Sequence, residues 1–388
     1  MKEKQTKAMH VGVIGAGMIS RTYLDTLATK FQIVKVTAIA DLNPQAAKNA
    51  AQKYNIPAAT NEKILNDPNI DIVLNLTPPA VHESILSDIL KAGKHAYTEK
   101  CFTLNSKSAA RLCQLAKKQG KYLGTAPDTF LSGWAQNARK IIDSGELGTI
   151  TSFAMVGNRD NDRLLSAMDY LNKPGGGIIL DYSVYYLTML INLLGPVSRV
   201  NATIKTPYPT HVNTFKPSPN FGKTFDTPNE SQFYSILELE NGITGTLSIN
   251  ADSVFFDQTY FAIYGSKGIL YCGCPDWFPG EVRLYRNTTD FANAENPQHI
   301  LVETPFGFKK DSRGVGLADM AYAIQEERPA RASAETALHV LDIQECMVAS
   351  HQANSAFVTV KTTTQRALPL REPQGTEESS LQTRRISE

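Results

Sequence analysis

The run Val11-Gly12-Val13-Ile14-Gly15-Ala16-Gly17-Met18-Ile19-Ser20 constrains this chain more than any other segment. It is preceded by a short β-rich stretch, His10–Ile14, and followed by Ile19–Lys30, where Ile19, Tyr23 and Leu27 recur at helical spacing. A strand that runs straight into a helix through glycines has few architectures open to it. Gly15 permits the tight turn, and Gly17 lets the backbone come close to a ligand. The helix that follows offers unpaired N–H groups and the positive end of its dipole to a pyrophosphate. Met18 and Ile19 form the first turn of that helix. Ser20 stands where a third glycine is usual, and it is small enough for close helix–strand packing.

The pattern continues in the same sense. Ile33–Ala40 reads as a second strand, Pro44 suits the first position of a helix, and Ile70–Leu76 is a continuous apolar run of the kind buried on both faces. Ala80–Ala92 reads as a helix, His95–Thr98 as a strand, Ser106–Gln119 as a helix and Tyr122–Thr125 as a strand. Strands alternating with helices of this length predict a parallel sheet with right-handed crossovers. The expected fold of residues 1–127 is therefore an α/β dinucleotide-binding domain of the Rossmann type. Asp41 ends the second strand, 24 residues beyond Gly17, where a carboxylate accepts hydrogen bonds from ribose hydroxyls and repels a 2′-phosphate. NAD is the expected cofactor, ahead of NADP. The plainer reading of Asp41 is a capping residue before Asn43-Pro44. Thr77 and Pro78 follow the third strand and should line the cofactor, and His82 lies within reach of the same crevice.

At 388 residues the chain is too long for one ordinary core, and the pattern changes after residue 127. Trp134–Ser144 and Ile178–Leu194 read as helices, with a strand at Ile150–Val156 and an irregular stretch up to Gly177. Strand signals then follow at Val197–Ile204, Gln232–Glu238, Ile243–Ile249, Thr259–Tyr264, Gly268–Cys272 and Glu281–Tyr285. The expectation is an α+β domain over residues 128–367, with a large, mostly antiparallel sheet closed by helices at Gly316–Glu327 and Ala334–His351. Pro207–Pro228 reads as a loop, and the polar tail, residues 368–388, as disordered.

Several functions are set aside by composition. Lys and Arg number 39 against 38 Asp and Glu, which speaks against a nucleic acid partner, since that requires a clustered basic face. The start, MKEKQTKAMH, lacks the apolar region of a signal peptide, and no apolar run is long enough for a membrane span. Five cysteines in so long a chain (Cys101, Cys113, Cys272, Cys274, Cys346) fit a reduced, cytoplasmic protein. Cys272-Gly-Cys274 has no second ligand pair, and the histidines never pair at ligand spacing, so no metal is expected.

Two further motifs carry a family resemblance. Tyr97-Thr98-Glu99-Lys100-Cys101 follows the fourth strand, and Gly175-Gly176-Gly177-Ile178-Ile179-Leu180-Asp181-Tyr182-Ser183-Val184-Tyr185-Tyr186 lies in the second domain. With the glycine run, these resemble the glucose–fructose oxidoreductase / inositol dehydrogenase (Gfo/Idh/MocA) family over about residues 9–352. The family's Glu-Lys-Pro motif is matched by Glu99 and Lys100, with Cys101 in place of proline. In its second motif Asp181 matches, Ser183 stands where glycine is common, and Tyr185 stands where many members carry histidine. Members resembling glucose–fructose oxidoreductase and dimeric dihydrodiol dehydrogenase have tyrosine there.

The resemblance implies reversible oxidation of a hydroxyl on a sugar, polyol or cyclic polyol, with NAD as hydride carrier. It implies Lys100, Asp181 and Tyr185 as catalytic residues, with Glu99 and Lys100 also beside the cofactor. It further implies a homodimer or homotetramer built through the large sheet. The chemistry is consistent with this: removing a hydroxyl proton at neutral pH is hard for an unperturbed phenol, and a neighbouring lysine cation favours the phenolate. Asp181 and Tyr185, four apart on a continuous helix, would share a face. The sequence does not choose whether Lys100 or Tyr185 moves the proton. The plainer reading of Tyr185 is a packing residue beside Tyr182 and Tyr186. Asp160, Asp162 and Arg163 are further candidates for substrate contact. Two rival functions stay open at this level: a glycosidase that uses NAD for transient oxidation, and a non-catalytic sensor of dinucleotide and sugar.

Overall fold

Of the chain's 388 residues, the computed structural model describes 7–254, 260–286 and 299–383. They fall into two units: Met1–Ser132, Phe306–Leu338 and Leu370–Glu388 in the first, Gly133–Pro305 and His339–Pro369 in the second.

The first unit carries the expected parallel sheet. Its strands β1 (Met9–Ile14), β2 (Val34–Ala40), β3 (Ile72–Asn75), β4 (His95–Thr98) and β5 (Leu123–Thr125) lie in the order β2-β1-β3-β4-β5, every pair parallel. A single parallel bridge, Ile39 to Ala58, stands outside β2 where a further strand would pair. The order reverses between β1 and β3, so the crevice that receives a ligand opens at the carboxyl ends of these two strands. Burial explains the central strand: Ile72, Val73 and Leu74 are wholly enclosed, each contributing roughly 1.5–3 kcal/mol. The crossovers are α1 (Met18–Lys30), α2 (Pro44–Tyr54), α3 (Asn61–Asn66), α4 (His82–Lys91) and α5 (Ser106–Lys118). Asn43, Thr60 and Asn105 cap α2, α3 and α5 through their side chains, worth ~1 kcal/mol each.

The second unit is built on a nine-stranded sheet. Its elements are α6 (Gly133–Asp143), β6 (Ile150–Asn158), α7 (Asn161–Ala167), α8 (Ile178–Asp181), α9 (Ser183–Leu194), β7 (Val197–Lys205), β8 (Thr210–Val212), β9 (Thr224–Asp226), β10 (Gln232–Leu239), β11 (Thr244–Asn250), β12 (Tyr260–Gly265), β13 (Gly268–Tyr271), β14 (Arg283–Arg286), β15 (His299–Leu301) and β16 (Val358–Thr359). The strand order is β15-β14-β13-β12-β6-β11-β10-β7-β16, with β6–β11 its one parallel pair among the described residues. Phe233, Ser235, Leu237 and Leu239 of β10 point inward, and Tyr234 and Ile236 point out, the alternation of a sheet with one covered face. Every residue of α9 is buried, as its nearly unbroken apolar sequence requires. The stretch read as a loop at Pro207–Pro228 holds the small hairpin β8–β9. The strand expected from Thr259 is observed from Tyr260; Thr259 itself lies outside the described residues.

Two expectations are corrected where the chain returns to the first unit. The helix α10 (Val315–Glu326) and the start of α11 (Ala334–Gln352) belong to that unit, and the division falls within α11, after Leu338. The cause lies in β5, a short edge strand that needs cover. Thr125 N–H donates to the Ala332 carbonyl at 3.1 Å, and Gly124 forms an antiparallel bridge to Ser333. Buried Asp128 accepts from the N–H groups of Gly314 and Gly316 at 2.8 and 3.1 Å, which fixes the entry to α10. The tail, expected to be disordered from 368, is ordered through residue 383; the last five residues lie outside the described set. Its polar groups are what bind it. The Glu378 carboxylate accepts from Gln32 N–H at 2.9 Å and Ile33 N–H at 2.9 Å, just before β2. The Leu381 carbonyl accepts from Arg328 and Arg331, both at 2.9 Å, and both guanidinium groups also pair with the fully buried Asp319.

Glu378→Ala is expected to lower stability by about 2 kcal/mol in urea unfolding, because it strands buried backbone donors that now meet a charged acceptor. An unchanged midpoint would show that the tail is not held by this carboxylate. Asp128 gives a pH signature. Burial, opposed by the two glycine N–H groups and Arg313, raises its pKa from 3.8 to about 6. A carboxyl with a raised folded pKa binds its proton better in the folded state. It therefore favours folding progressively as pH falls from about 6 towards 4, and opposes folding above that window. Asp128→Asn keeps an acceptor for the glycines and removes the titration. The stability of Asp128→Asn relative to the wild type should accordingly rise between pH 4 and pH 7, by roughly 2–3 kcal/mol at most.

Candidate functional site

The glycine turn is shaped by one close approach. Gly15 has φ +108°, and a Cβ there would lie 2.6 Å from the Leu76 carbonyl carbon at the end of β3. Gly17 differs: a Cβ there would meet no atom within 4 Å. It caps α1 with no side-chain hydrogen bond, and Met18 in the first turn is 75% exposed, with Ile19 half-buried. This open cradle beside an uncapped helix N-terminus fits a pyrophosphate. Ser20 is buried, and its hydroxyl donates to the Gly17 carbonyl at 2.6 Å.

Asp41 has a structural duty in addition to the expected one. One of its oxygens accepts from Ala16 N–H and the other from Asn43 N–H, both at 2.7 Å. It thus ties the end of β2 to the glycine turn. Each carboxylate oxygen retains capacity for a further donor such as a ribose hydroxyl.

At the ends of β3 and β4 the loops are held by buried polar residues. Asn75 donates to Thr98 Oγ1 at 3.0 Å and accepts the Thr77 hydroxyl at 2.7 Å, which leaves Pro78 exposed at the loop's surface. His82 is fully buried. Its Nδ1 lies 2.8 Å from the Cys101 carbonyl and its Nε2 2.8 Å from the Thr77 carbonyl. Burial lowers its pKa, so the neutral ring carries one N–H, which donates to one of these two loop carbonyls. Glu99 is likewise engaged from within. It accepts from Tyr23 Oη at 2.7 Å and from Lys100 N–H at 3.0 Å, so it anchors the segment that carries Lys100. The Lys100–Cys101 peptide is cis, and Cys101 is buried where the family motif has proline.

Asp181 and Tyr185 belong to the second unit, and they do not share one continuous helix. The helix breaks at Tyr182, so that Asp181 ends α8 and Tyr185 lies in α9. The Ile179 carbonyl, which would accept Ser183 N–H in an unbroken helix, instead takes the Ser183 hydroxyl and Gln344 Nε2, both at 2.5 Å. Asp181 is buried and pairs with Arg159 Nη1 at 2.8 Å, and the Arg159 guanidinium lies over the Tyr182 ring, 5.1 Å from its centre. Tyr182 makes edge contacts with both Tyr185 and Tyr186. Burial pushes the Tyr182 and Tyr186 phenols above their ordinary value.

Sequence reasoning missed Arg159. Its signal was position: it is the first residue beyond β6, where strand ends commonly supply site residues. Its neighbours are placed differently. Asp160 caps α7 by accepting Arg163 N–H at 3.1 Å, Asp162 pairs with His211 Nδ1 at 2.5 Å, and Arg163 is exposed. The stretch expected to be irregular is therefore partly helical and is joined to the β8–β9 hairpin.

Comparison with known proteins agrees with both halves. Residues 9–126 match an oxidoreductase family with an NAD-binding Rossmann fold, and residues 135–271 match the GFO/IDH/MocA C-terminal domain. Among curated relatives, the inositol 2-dehydrogenase of Corynebacterium glutamicum (strain R) is 28% identical over 305 residues, spanning 76% of this chain and 84% of the relative. The D-xylose dehydrogenase of Paenarthrobacter nicotinovorans is 25% identical over 346 residues, spanning 77% and 87%. A levoglucosan dehydrogenase solved with NADH and L-sorbose shares the fold, with a TM-score of 0.78 at 20% identity over 91% of this chain and 99% of that one. No helix among the described residues is long and apolar enough to cross a membrane. With the glycine cradle in the first unit and the Asp181 motif in the second, the chain belongs to the Gfo/Idh/MocA family of NAD-binding oxidoreductases.

Proposed function

We propose that the protein interconverts a hydroxyl and a carbonyl on a sugar, polyol or cyclic polyol, with NAD as the redox partner. The observation that carries this reading is the open cradle at Gly17 beside the Asp41 carboxylate, in a chain that keeps Lys100, Asp181 and Tyr185 at the family's motif positions. The polyol and sugar dehydrogenases among its relatives support the substrate class. NAD, when bound, supplies the hydride acceptor.

The chain's own residues manage the rest. Gly15, Gly17 and the first turn of α1 hold the pyrophosphate, and Asp41 takes the ribose hydroxyls. Lys100 and Tyr185 are assigned to the hydroxyl proton by their places in the family's motifs. Asp181 orients the substrate, and Asp162 and Arg163, exposed on α7, are further substrate contacts. The same reading makes the protein a homodimer or homotetramer built through the outer face of the large sheet, where Tyr234 and Ile236 stand exposed.

The test is NADH formation by purified protein over a panel of polyols, aldoses and inositols. Lys100→Ala and Tyr185→Phe should each reduce kcat/KM by about 10²–10⁴ while NAD still binds in calorimetry. Unchanged turnover in Tyr185→Phe would take that phenol out of the chemistry, and release of a sugar without NADH would point to a glycosidase. Asp41→Ala should weaken NAD binding about tenfold, the loss of one or two hydrogen bonds, and narrow the preference over NADP. Equal affinity for both dinucleotides in the wild type would contradict the role given to Asp41.

A further inference from the structure

The Glu99 carboxylate is buried, and each of its oxygens has a donor: Tyr23 Oη at 2.7 Å on one and Lys100 N–H at 3.0 Å on the other. A carboxylate enclosed in this way is costly unless hydrogen bonds replace the lost water, so the two donors fix its place. They come from different parts of the first unit. Tyr23 stands on α1, six residues beyond Gly17 of the cradle, and Lys100 on the segment that leaves β4. Glu99 is therefore a strut between the helix that opens at the cradle and the segment that carries the lysine.

Tyr23 is suited to be the fixed end of that strut. Its side chain is wholly enclosed, and burial, with the Glu99 and Asp128 carboxylates, raises the phenol's pKa well above its ordinary value. The hydroxyl therefore keeps its proton and serves as a donor. The helix α1 is itself held along its length. A Cβ on Gly314 would lie 3.0 Å from Leu27 Cδ2 and 3.5 Å from Tyr23 Cδ1, so the entry to α10 packs directly on this helix. Thr26 donates to the Arg313 carbonyl, and Lys30 Nζ donates to the Asp311 carbonyl at 2.8 Å and to Ser312 Oγ at 2.7 Å. Tyr97 supplies the contrast. It is enclosed as fully and lies near the same two carboxylates, yet its hydroxyl has no hydrogen-bond partner among the described residues. Of these two buried tyrosines beside Glu99, one is bonded to it and the other is not.

We propose that Tyr23 is a positioning residue, which acts through Glu99 to fix the Lys100 segment against α1 and thereby sets where the lysine amine stands for the proton step. This rests on the function proposed above and deepens it: a fully buried residue of the cradle's own helix determines how well Lys100 works.

The experiment compares Tyr23→Phe, Tyr97→Phe, Glu99→Gln and the double variant Tyr23→Phe/Glu99→Gln with the wild type. Amide hydrogen exchange supplies a readout that needs no turnover. Tyr23→Phe should speed exchange of the Lys100 amide about tenfold, because its acceptor is no longer held from α1. The Ala16 amide, which Asp41 holds, should stay at the wild-type rate. Tyr97→Phe, which removes the unpartnered hydroxyl, should move neither. An unmoved Lys100 amide in Tyr23→Phe would overturn the proposal. Equal acceleration at Lys100 and Ala16, or at Lys100 in both tyrosine variants, would do the same, since it marks general loosening. On the substrate identified for the wild type, Tyr23→Phe should lower kcat about tenfold, with NAD affinity in calorimetry held within about twofold, since Gly15, Gly17 and Asp41 are untouched. The double variant should be no slower than Glu99→Gln, as expected when one residue acts through the other. Losses in kcat that multiply, or an equal loss of NAD affinity, would refute the indirect role. A wild type that is inactive on every compound, with the exchange pattern as expected, would instead remove only the proposed function. Should Tyr23→Phe fail to fold, Glu99→Gln decides: exchange at Lys100 that stays at the wild-type rate overturns the strut, and faster exchange confined to that segment upholds it.

Discussion

The first unit depends on how closely the turn after β1 passes the end of β3. Gly15 lies against the Leu76 carbonyl with no room for a side chain, and its positive φ is what lets the strand turn there. From that contact the rest follows. The turn sets where α1 begins, and Gly17 then faces open space. Asp41, at the end of the adjacent strand, reaches the Ala16 N–H and locks the turn. The next loops are fixed in the same way, by His82 between two carbonyls and by Glu99 under the Lys100 segment. Charged and polar side chains here serve the backbone before they serve a ligand.

The second unit solves a different problem. Its long apolar segment could have formed one helix, yet hydrogen bonds to the Ile179 carbonyl from Ser183 and Gln344 divide it at Tyr182. The division separates a short polar-tipped helix ending in Asp181 from a wholly buried one that anchors the core. A single continuous helix would have placed Asp181 and Tyr185 one turn apart on the same face. The break leaves Asp181 as the last residue of α8, where its carboxylate pairs with Arg159 at 2.8 Å.

Local patterns were legible in the sequence wherever spacing alone decides the structure. The alternation over His10–Thr125, the glycine turn and the strands of the large sheet follow from periodicity, and so does the apolar stretch around Tyr185. What escaped was set by partners distant in the chain. Glu378 looks like one of several charges in a polar tail; nothing nearby announces that it meets Gln32 and Ile33. Asp128 gives no local hint of the glycines at 314 and 316. The residues of the dinucleotide motif were visible, but the hydrogen bonds that His82 and Glu99 make within the unit were not, since a motif shows residue types and not their partners.

The first unit is assembled from both ends of the chain, and this has a consequence for synthesis. When residue 132 leaves the ribosome, β5 still lacks the Ala332 carbonyl, and the donors before β2 lack Glu378. About 250 further residues must be translated before the last of these groups arrives, on the order of tens of seconds at ordinary elongation rates. During that interval the nascent sheet presents an open edge. A chain truncated before Glu378 therefore leaves the Gln32 and Ile33 N–H groups without the carboxylate they donate to.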